Sequence, residues 1–168
     1  KISDSRIHFV FVGDGACKPK LEETVRKLKL TNVTMLPPVS KTEVSRYLSV
    51  VDAVLVPLKE SPVFRTVLPS KIFESAAMEK PILLGVDGEA RQLIEKYEAG
   101  IFFKPQNEIE FLNAVAKITA DSKLYGRLKN GCRKMANDFD RIKLADKMLY
   151  ELESLTGQKN GSRFDNAG

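Results

Sequence analysis

Between Arg65 and Glu74 the segment RTVLPSKIFE gathers an arginine, a serine, a lysine and a glutamate. Together these types suit a ligand that carries both a phosphate and hydroxyl groups. Ser70 and Lys71 open a helical pattern, and a helix start combines free backbone N–H groups with a partial positive charge, so it favours an anion. Arg65, in the polar stretch just before, adds a guanidinium. Glu74 falls one turn further on and offers a carboxylate to hydroxyl donors such as those of a ribose. The same residues would also make an ordinary polar first turn, solvated and idle. Their place after a long loop that follows a strand is what favours a site.

The elements that must position this group read as alternating strands and helices. Asp52 to Val56 is a short apolar run of the kind that fills a buried parallel strand, and Pro57 closes it. Ser70, following Pro69, is expected to cap a helix whose apolar face is Ile72, Phe73, Ala76 and Ala77. Pro81 stops that helix, and Ile82 to Leu84 begins the next strand. Upstream, Ile7 to Val12 forms a strand ending at Gly13-Asp14-Gly15, followed by a helix over roughly 17–29 with Pro19 in its first turn. Val33 to Leu36 makes a second strand, ending at Pro37-Pro38; Ser40 and Glu43 then form a capping box ahead of Val44, Tyr47 and Leu48. Downstream come a helix near Ala90 to Tyr97 and a last strand, Gly100 to Phe103. From Gln106 the pattern is helical, with Ile109, Leu112, Val115, Ala116 and Ile118 on one stripe, then helices from about Ser122 and from about Asp140 to Leu155.

This alternation predicts an α/β protein: a Rossmann-like doubly wound parallel sheet with C-terminal helices, over residues 1–155. The polar, glycine-rich end, 156–168, reads as a disordered tail. The binding edge should collect three loops, Gly13 to Gly15, Pro37 to Ser40 and Lys59 to Ser70.

Composition narrows the function. With a single histidine and two cysteines far apart, Cys17 and Cys132, no zinc site or histidine triad can be assembled from this sequence. The cysteines read as free thiols of a reducing compartment. No run approaches a membrane span, and no signal segment opens the chain, so the reading is cytosolic. The net charge of +5 comes from 27 basic residues interleaved with 22 acidic ones, a solvated surface rather than a nucleic-acid face.

Gly13-Asp14-Gly15 begins like a dinucleotide fingerprint, but the third glycine would fall at position 18, which is Lys18. What remains is a tight turn or a lining of the cleft. His8 reads as a structural histidine. Asp87 and Glu89 follow a strand and are either solvated loop carboxylates or contacts to a sugar.

Taken in order, FVFVGDG, NVTMLPPVSKTEVSRYLSVVDAVLVPL, FRTVLPSKIFESAAMEKPILL and GEARQLIEKYEAGIFFKP resemble the C-terminal half of a GT-B-fold glycosyltransferase of family four, of the bacterial surface-polysaccharide type. The resemblance runs from about Ile7 to Leu155, and its specific part is the segment running FRxxxPSKxFE. It implies a retaining transferase that binds a nucleotide-sugar donor, most often a uridine diphosphate sugar, in this half and needs neither metal nor other cofactor. It further implies Lys71 and Glu74 as the residues nearest the chemistry. Glu74 would hold the ribose hydroxyls, Ser70 and Lys71 would lie by the diphosphate, with Arg65 near. The Pro38-Val39 backbone would edge the base, and Gly13 and Gly15 would line the cleft. The partners implied are a nucleotide sugar and an N-terminal acceptor domain missing from this sequence; any peripheral membrane association, at the inner face, would run through that half.

The sequence departs from the family pattern in three places. The first carboxylate of the family's glutamate pair would stand eight positions before Glu74, at Thr66. Glu79 replaces the glycine usual before Lys80-Pro81, where glycine would relieve a left-handed cap. The first strand and helix, with their basic diphosphate ligands, are expected upstream of IHFVFV. Thr66 supports a rival reading, a non-catalytic glycosyltransferase-like interaction subunit. A flavodoxin-like regulatory domain would need partner carboxylates next to Asp14, and its neighbours are Gly13 and Gly15.

Overall fold

The computed structural model describes residues 6–156, and the expected tail beyond them lies outside the described residues. The chain divides into two compact units, Lys1–Asp52 and Ala53–Gly168.

The first unit contains β1 (Phe9–Val12), α1 (Lys18–Lys27), β2 (Val33–Leu36) and α2 (Lys41–Val50). β1 and β2 pair in parallel, from Phe9 opposite Val33 to Val12 opposite Leu36. A parallel pair needs a crossover, and α1 supplies it, with Pro19 in the first turn where a missing N–H costs little. His8 stands just before β1 and is exposed, its Nε2 2.8 Å from Thr34 Oγ1. α2 starts as its sequence dictates. The Glu43 carboxylate accepts from Ser40 N–H at 3.0 Å and from Ser40 Oγ–H at 2.6 Å. Those bonds favour the charged form and hold Glu43 below the usual carboxylate range.

The second unit contains β3 (Val54–Pro57), a 3₁₀ turn (Pro62–Thr66), α3 (Ser70–Ala77), β4 (Ile82–Gly85), α4 (Glu89–Tyr97), β5 (Gly100–Phe102), α5 (Glu108–Ala120), α6 (Ser122–Asp138) and α7 (Arg141–Thr156). Its sheet is parallel in the order β3-β4-β5, with Val54 opposite Ile82 and Ile82 opposite Gly100. The central strand is buried along its whole length, as a parallel strand covered on both faces must be. On one face Ile82 and Leu84 pack with Ile72 and Ala76 of α3, Ala90 and Ile94 of α4, and Cys132 and Met135 of α6. Leu83 points the other way by strand alternation, and α5 packs against β4 on that side, with Phe111 5.3 Å from the Phe103 ring. Each such aliphatic side chain contributes about 1.5–3 kcal/mol by leaving water, so this core holds the strand ends in place.

The apolar stripe expected on α5 is corrected by this packing. Ile109 is 72% exposed and Ala116 is exposed, whereas Ala114 and Val115 are buried. The helix starts later than expected: Asn107 is its N-cap, accepting from Glu110 N–H at 3.0 Å. That start turns Ile109, in the first turn, outward.

Candidate functional site

The helix start singled out in the sequence is α3, and its cap differs from expectation. Pro69, not Ser70, occupies the N-cap, with φ −62° and ψ 129°, and its carbonyl accepts from Ile72 N–H at 3.0 Å. The ring fixes φ, and an extended ψ is what an N-cap requires, so Pro69 takes the position without strain. Ser70 is thereby the first helical residue, and its hydroxyl makes no cap bond. α3 buries Ile72, Ser75 and Ala76. Ser75 spends its hydroxyl internally on the Lys71 carbonyl at 2.6 Å.

The opposite face exposes Ser70, Lys71 and Glu74, which share one stripe at the spacings that make helix neighbours. None of the three side chains is hydrogen-bonded or ion-paired to a described residue. A hydroxyl, an ammonium and a carboxylate therefore stand uncommitted beside free backbone N–H groups at the carboxyl edge of β3 and β4.

At its other end α3 closes in a left-handed turn at Glu79, φ 54°, the conformation for which glycine is usual. Glu79 makes the turn without it. Its carboxylate takes Arg133 Nε and Nη2 at 2.8 Å each, tying the turn to α6. The Arg133 bond also holds Glu79 below the ordinary carboxylate range.

Arg65 lies in the 3₁₀ turn and is exposed. That turn is pressed onto Gly88, the N-cap of α4, whose φ is 89°. A Cβ at Gly88 would come within 2.1 Å of the Arg65 carbonyl oxygen, so only glycine lets the loop after β3 lie against the end of β4. Arg65 lines a hollow of about 250 Å³ with Phe64, Asp87, Arg91, Phe102 and Lys104; Ser70, Lys71 and Glu74 are not on its wall. Asp87 accepts from Gly88 N–H at 2.9 Å and lies 3.5 Å from Arg91, which stacks on Phe102 at 4.0 Å from its centroid. Glu89 is exposed in the first turn of α4. Thr66 ends the 3₁₀ turn, exposed.

In the first unit Gly13 and Gly15 form the turn after β1. Gly13 has φ 140°, and a side-chain carbon added at either glycine would meet nothing within 4 Å, so the turn faces open space. Gly15 N–H donates to Asp14 Oδ1 at 2.8 Å. Pro38 is exposed and Val39 half-buried, directly after β2. One residue that the sequence reading met only as the missing third glycine is structurally engaged. Lys18 Nζ donates to the Gly13 carbonyl at 2.8 Å and to the Leu36 carbonyl at 2.9 Å, bridging the carboxyl ends of β1 and β2. The available signal was a lysine opening the helix that follows a glycine turn.

Among the described residues no group of three or more histidine, cysteine, aspartate or glutamate side chains is placed to hold a metal ion, and no helix is long and apolar enough to cross a membrane. Both cysteines are free thiols, Cys17 exposed and Cys132 buried. Burial pushes the Cys132 thiol up to about 12.

Comparison with known proteins gives four matches of one kind. The family model described as glycosyl transferases group 1 matches residues 1–135. TuaH of Bacillus subtilis (strain 168), named for teichuronic acid biosynthesis as a glycosyltransferase, is 30% identical over 91 residues, 54% of this chain and 23% of that protein. HepE of Anabaena, solved in complex with UDP and glucose, matches with a TM-score of 0.72 and 18% identity over 89% of this chain and 41% of that one. The C-terminal domain of LpcC, a glycosyl transferase group 1 family protein of Francisella tularensis, matches with a TM-score of 0.59 and 14% identity over 81% of this chain and 89% of that one. The chain thus spans less than half of TuaH and of HepE, and most of the isolated LpcC domain. At these identities the solved structures establish its fold, the α/β architecture of a GT-B half.

Proposed function

The chain belongs to the glycosyl transferases group 1 family, and on that premise we propose that it is the donor-binding half of a retaining glycosyltransferase using a nucleotide-activated sugar, a uridine diphosphate sugar above all. The observation that carries this reading is the exposed stripe of α3, where Ser70, Lys71 and Glu74 have no described partner next to a free helix N-terminus. Ser70 and Lys71 take the diphosphate with the backbone N–H groups behind them, and Glu74 takes the ribose hydroxyls. On the first unit, Pro38 and Val39 are the base contacts and Gly13 and Gly15 the glycine lining that the family resemblance implies; on the second, Arg65 adds positive charge. Negative charge developing on the leaving diphosphate is stabilised by the helix start and Lys71, with no metal and no further cofactor. The acceptor domain and its catalytic groups belong to the rest of the protein, and the product serves polysaccharide or lipid-linked oligosaccharide synthesis. HepE, whose structure contains UDP, supports the choice of nucleotide; TuaH, by its name, supports the choice of pathway. The enzyme works in the cytoplasm, and the acceptor half carries any contact with the inner face of the membrane.

Titration of the chain with UDP, followed through backbone amide shifts, tests the assignment. Shifts should concentrate at Gly13 to Gly15, at Val39 and at Ser70 to Glu74. Perturbations that avoid all three places would sink the site as drawn.

A further inference from the structure

We propose that Lys18 is a positioning residue of the nucleotide site: its ammonium fastens the loop after β1 to the loop after β2. The inference rests on the donor-binding reading only for what the two loops hold. The geometry lies within one unit. Lys18 opens α1, is half-buried, and sends its side chain back across the turn to the carbonyls of Gly13 and Leu36 at 2.8 and 2.9 Å. Those carbonyls stand at the two strand ends, one at the first residue beyond β1 and the other at the last residue of β2.

The strand pairing gives the reason such a tie is needed. The ladder reaches Gly13, whose N–H donates to the Leu36 carbonyl at the long distance of 3.3 Å, and beyond that point no backbone hydrogen bond among the described residues joins the two loops. A side-chain carbon added at Gly13 or Gly15 would meet nothing within 4 Å, so no side-chain packing steadies this turn at the glycines, and Pro37 and Pro38 offer no N–H. The ammonium accordingly supplies two charge-assisted bonds where the backbone ladder stops. The loops it joins are those assigned to the cleft lining and to the base, so fixing their separation pre-forms the site and lowers the ordering cost of binding.

The test uses Lys18→Met, which keeps the stem and removes the ammonium, and Lys18→Arg, which restores a cation. Hydrogen–deuterium exchange without ligand should rise in Lys18→Met at residues 13–17 and at Val39 and Ser40, remain at the wild-type level through α2 and the second unit, and be largely restored in Lys18→Arg. By calorimetry, uridine and UDP should both lose affinity by the same factor, about tenfold, the scale of one lost charge-assisted bond. Loss confined to UDP with exchange unchanged would make Lys18 a direct phosphate contact and overturn the positioning role. Unchanged exchange and unchanged affinities would overturn it too, as would uniform loss of protection over the whole first unit in both variants. If wild type binds neither uridine nor UDP, the donor reading falls while the exchange data still decide whether Lys18 ties the loops.

Discussion

The decisive contrast on α3 is between neighbours with opposite surroundings. Phe73 packs on Phe139 at 5.1 Å between centroids, whereas Glu74 is exposed with no described partner. An uncommitted exposed carboxylate stabilises the fold little, so Glu74→Ala should change unfolding free energy by less than about 1 kcal/mol. Its expected effect is on binding: UDP affinity should fall several-fold, through lost hydrogen bonds to the ribose. The ribose makes this separable from a general loss of charge. A 2′,3′-dideoxy analogue should bind wild type and Glu74→Ala almost equally, in a calorimetric titration. Equal discrimination between the ribo and dideoxy forms by both proteins would leave Glu74 a solvated first-turn residue. The types and spacing of Ser70, Lys71 and Glu74 were legible in the sequence because helix periodicity places them on one face. The bridge made by Lys18 was not, because it depends on where two strands end in space.

Between elements, close backbone contacts decide the packing, and glycine marks where they fall. α4 ends at Glu98 in a left-handed conformation, φ 50°, and α6 docks on that end through Gly131. A Cβ at Gly131 would lie 2.3 Å from the carbonyl oxygens of Tyr97 and Glu98, while one at Gly126, earlier on α6, would meet nothing within 4 Å. Next to Gly131, the Cys132 sulfur lies 3.3 and 3.2 Å from the Lys80 and Ala99 carbonyl oxygens, and its single S–H is shared between them, a further tie of α6 to the two loops. The two glycines should thus respond oppositely. Gly131→Ala forces the helix off its seat and should cost roughly 1–3 kcal/mol. Gly126→Ala, free of contact, should gain about 0.4–1 kcal/mol by limiting the unfolded chain. Thermal or urea unfolding of the pair checks both signs, and a stabilised Gly131→Ala would refute the docking account. Element order was readable from alternation, breakers and the Ser40–Glu43 box. Three details were not. Pro69 can cap as well as Ser70 can, and local pattern does not rank them. Asn107 sets the phase of α5 and turns Ile109 out. The 3₁₀ turn at Pro62 is held by its contact with Gly88, which no local rule encodes.

At the scale of the whole molecule, the donor-half proposal fixes what this chain should do by itself. Glycosyl transfer requires donor and acceptor to be held together, and proximity of that kind is worth on the order of 7–11 kcal/mol of the barrier. The chain covers 41% of HepE and 89% of the isolated LpcC domain, lengths that suit the proposed donor-binding half. The second unit has its own buried core around Ile82 and Leu84, a basis for folding without the other half. Purified alone, the chain should therefore fold with a cooperative thermal transition and bind UDP weakly. Each charge-assisted contact to the diphosphate that resides elsewhere in the protein would weaken binding by about 1.5–3 kcal/mol. Transfer from UDP-sugar to any acceptor should stay at the uncatalysed rate, because the proximity term is absent even where the donor is bound. The check is paired: release of UDP from UDP-sugars is followed over hours with the chain alone, and binding is measured on the same preparation. Sustained turnover by the chain would mean that it contains its own acceptor site and catalytic groups, and the division of labour argued for the two halves would be wrong. Binding without turnover is the outcome expected if Lys71 and the α3 N-terminus stabilise a leaving group whose attacking partner is supplied from the other half.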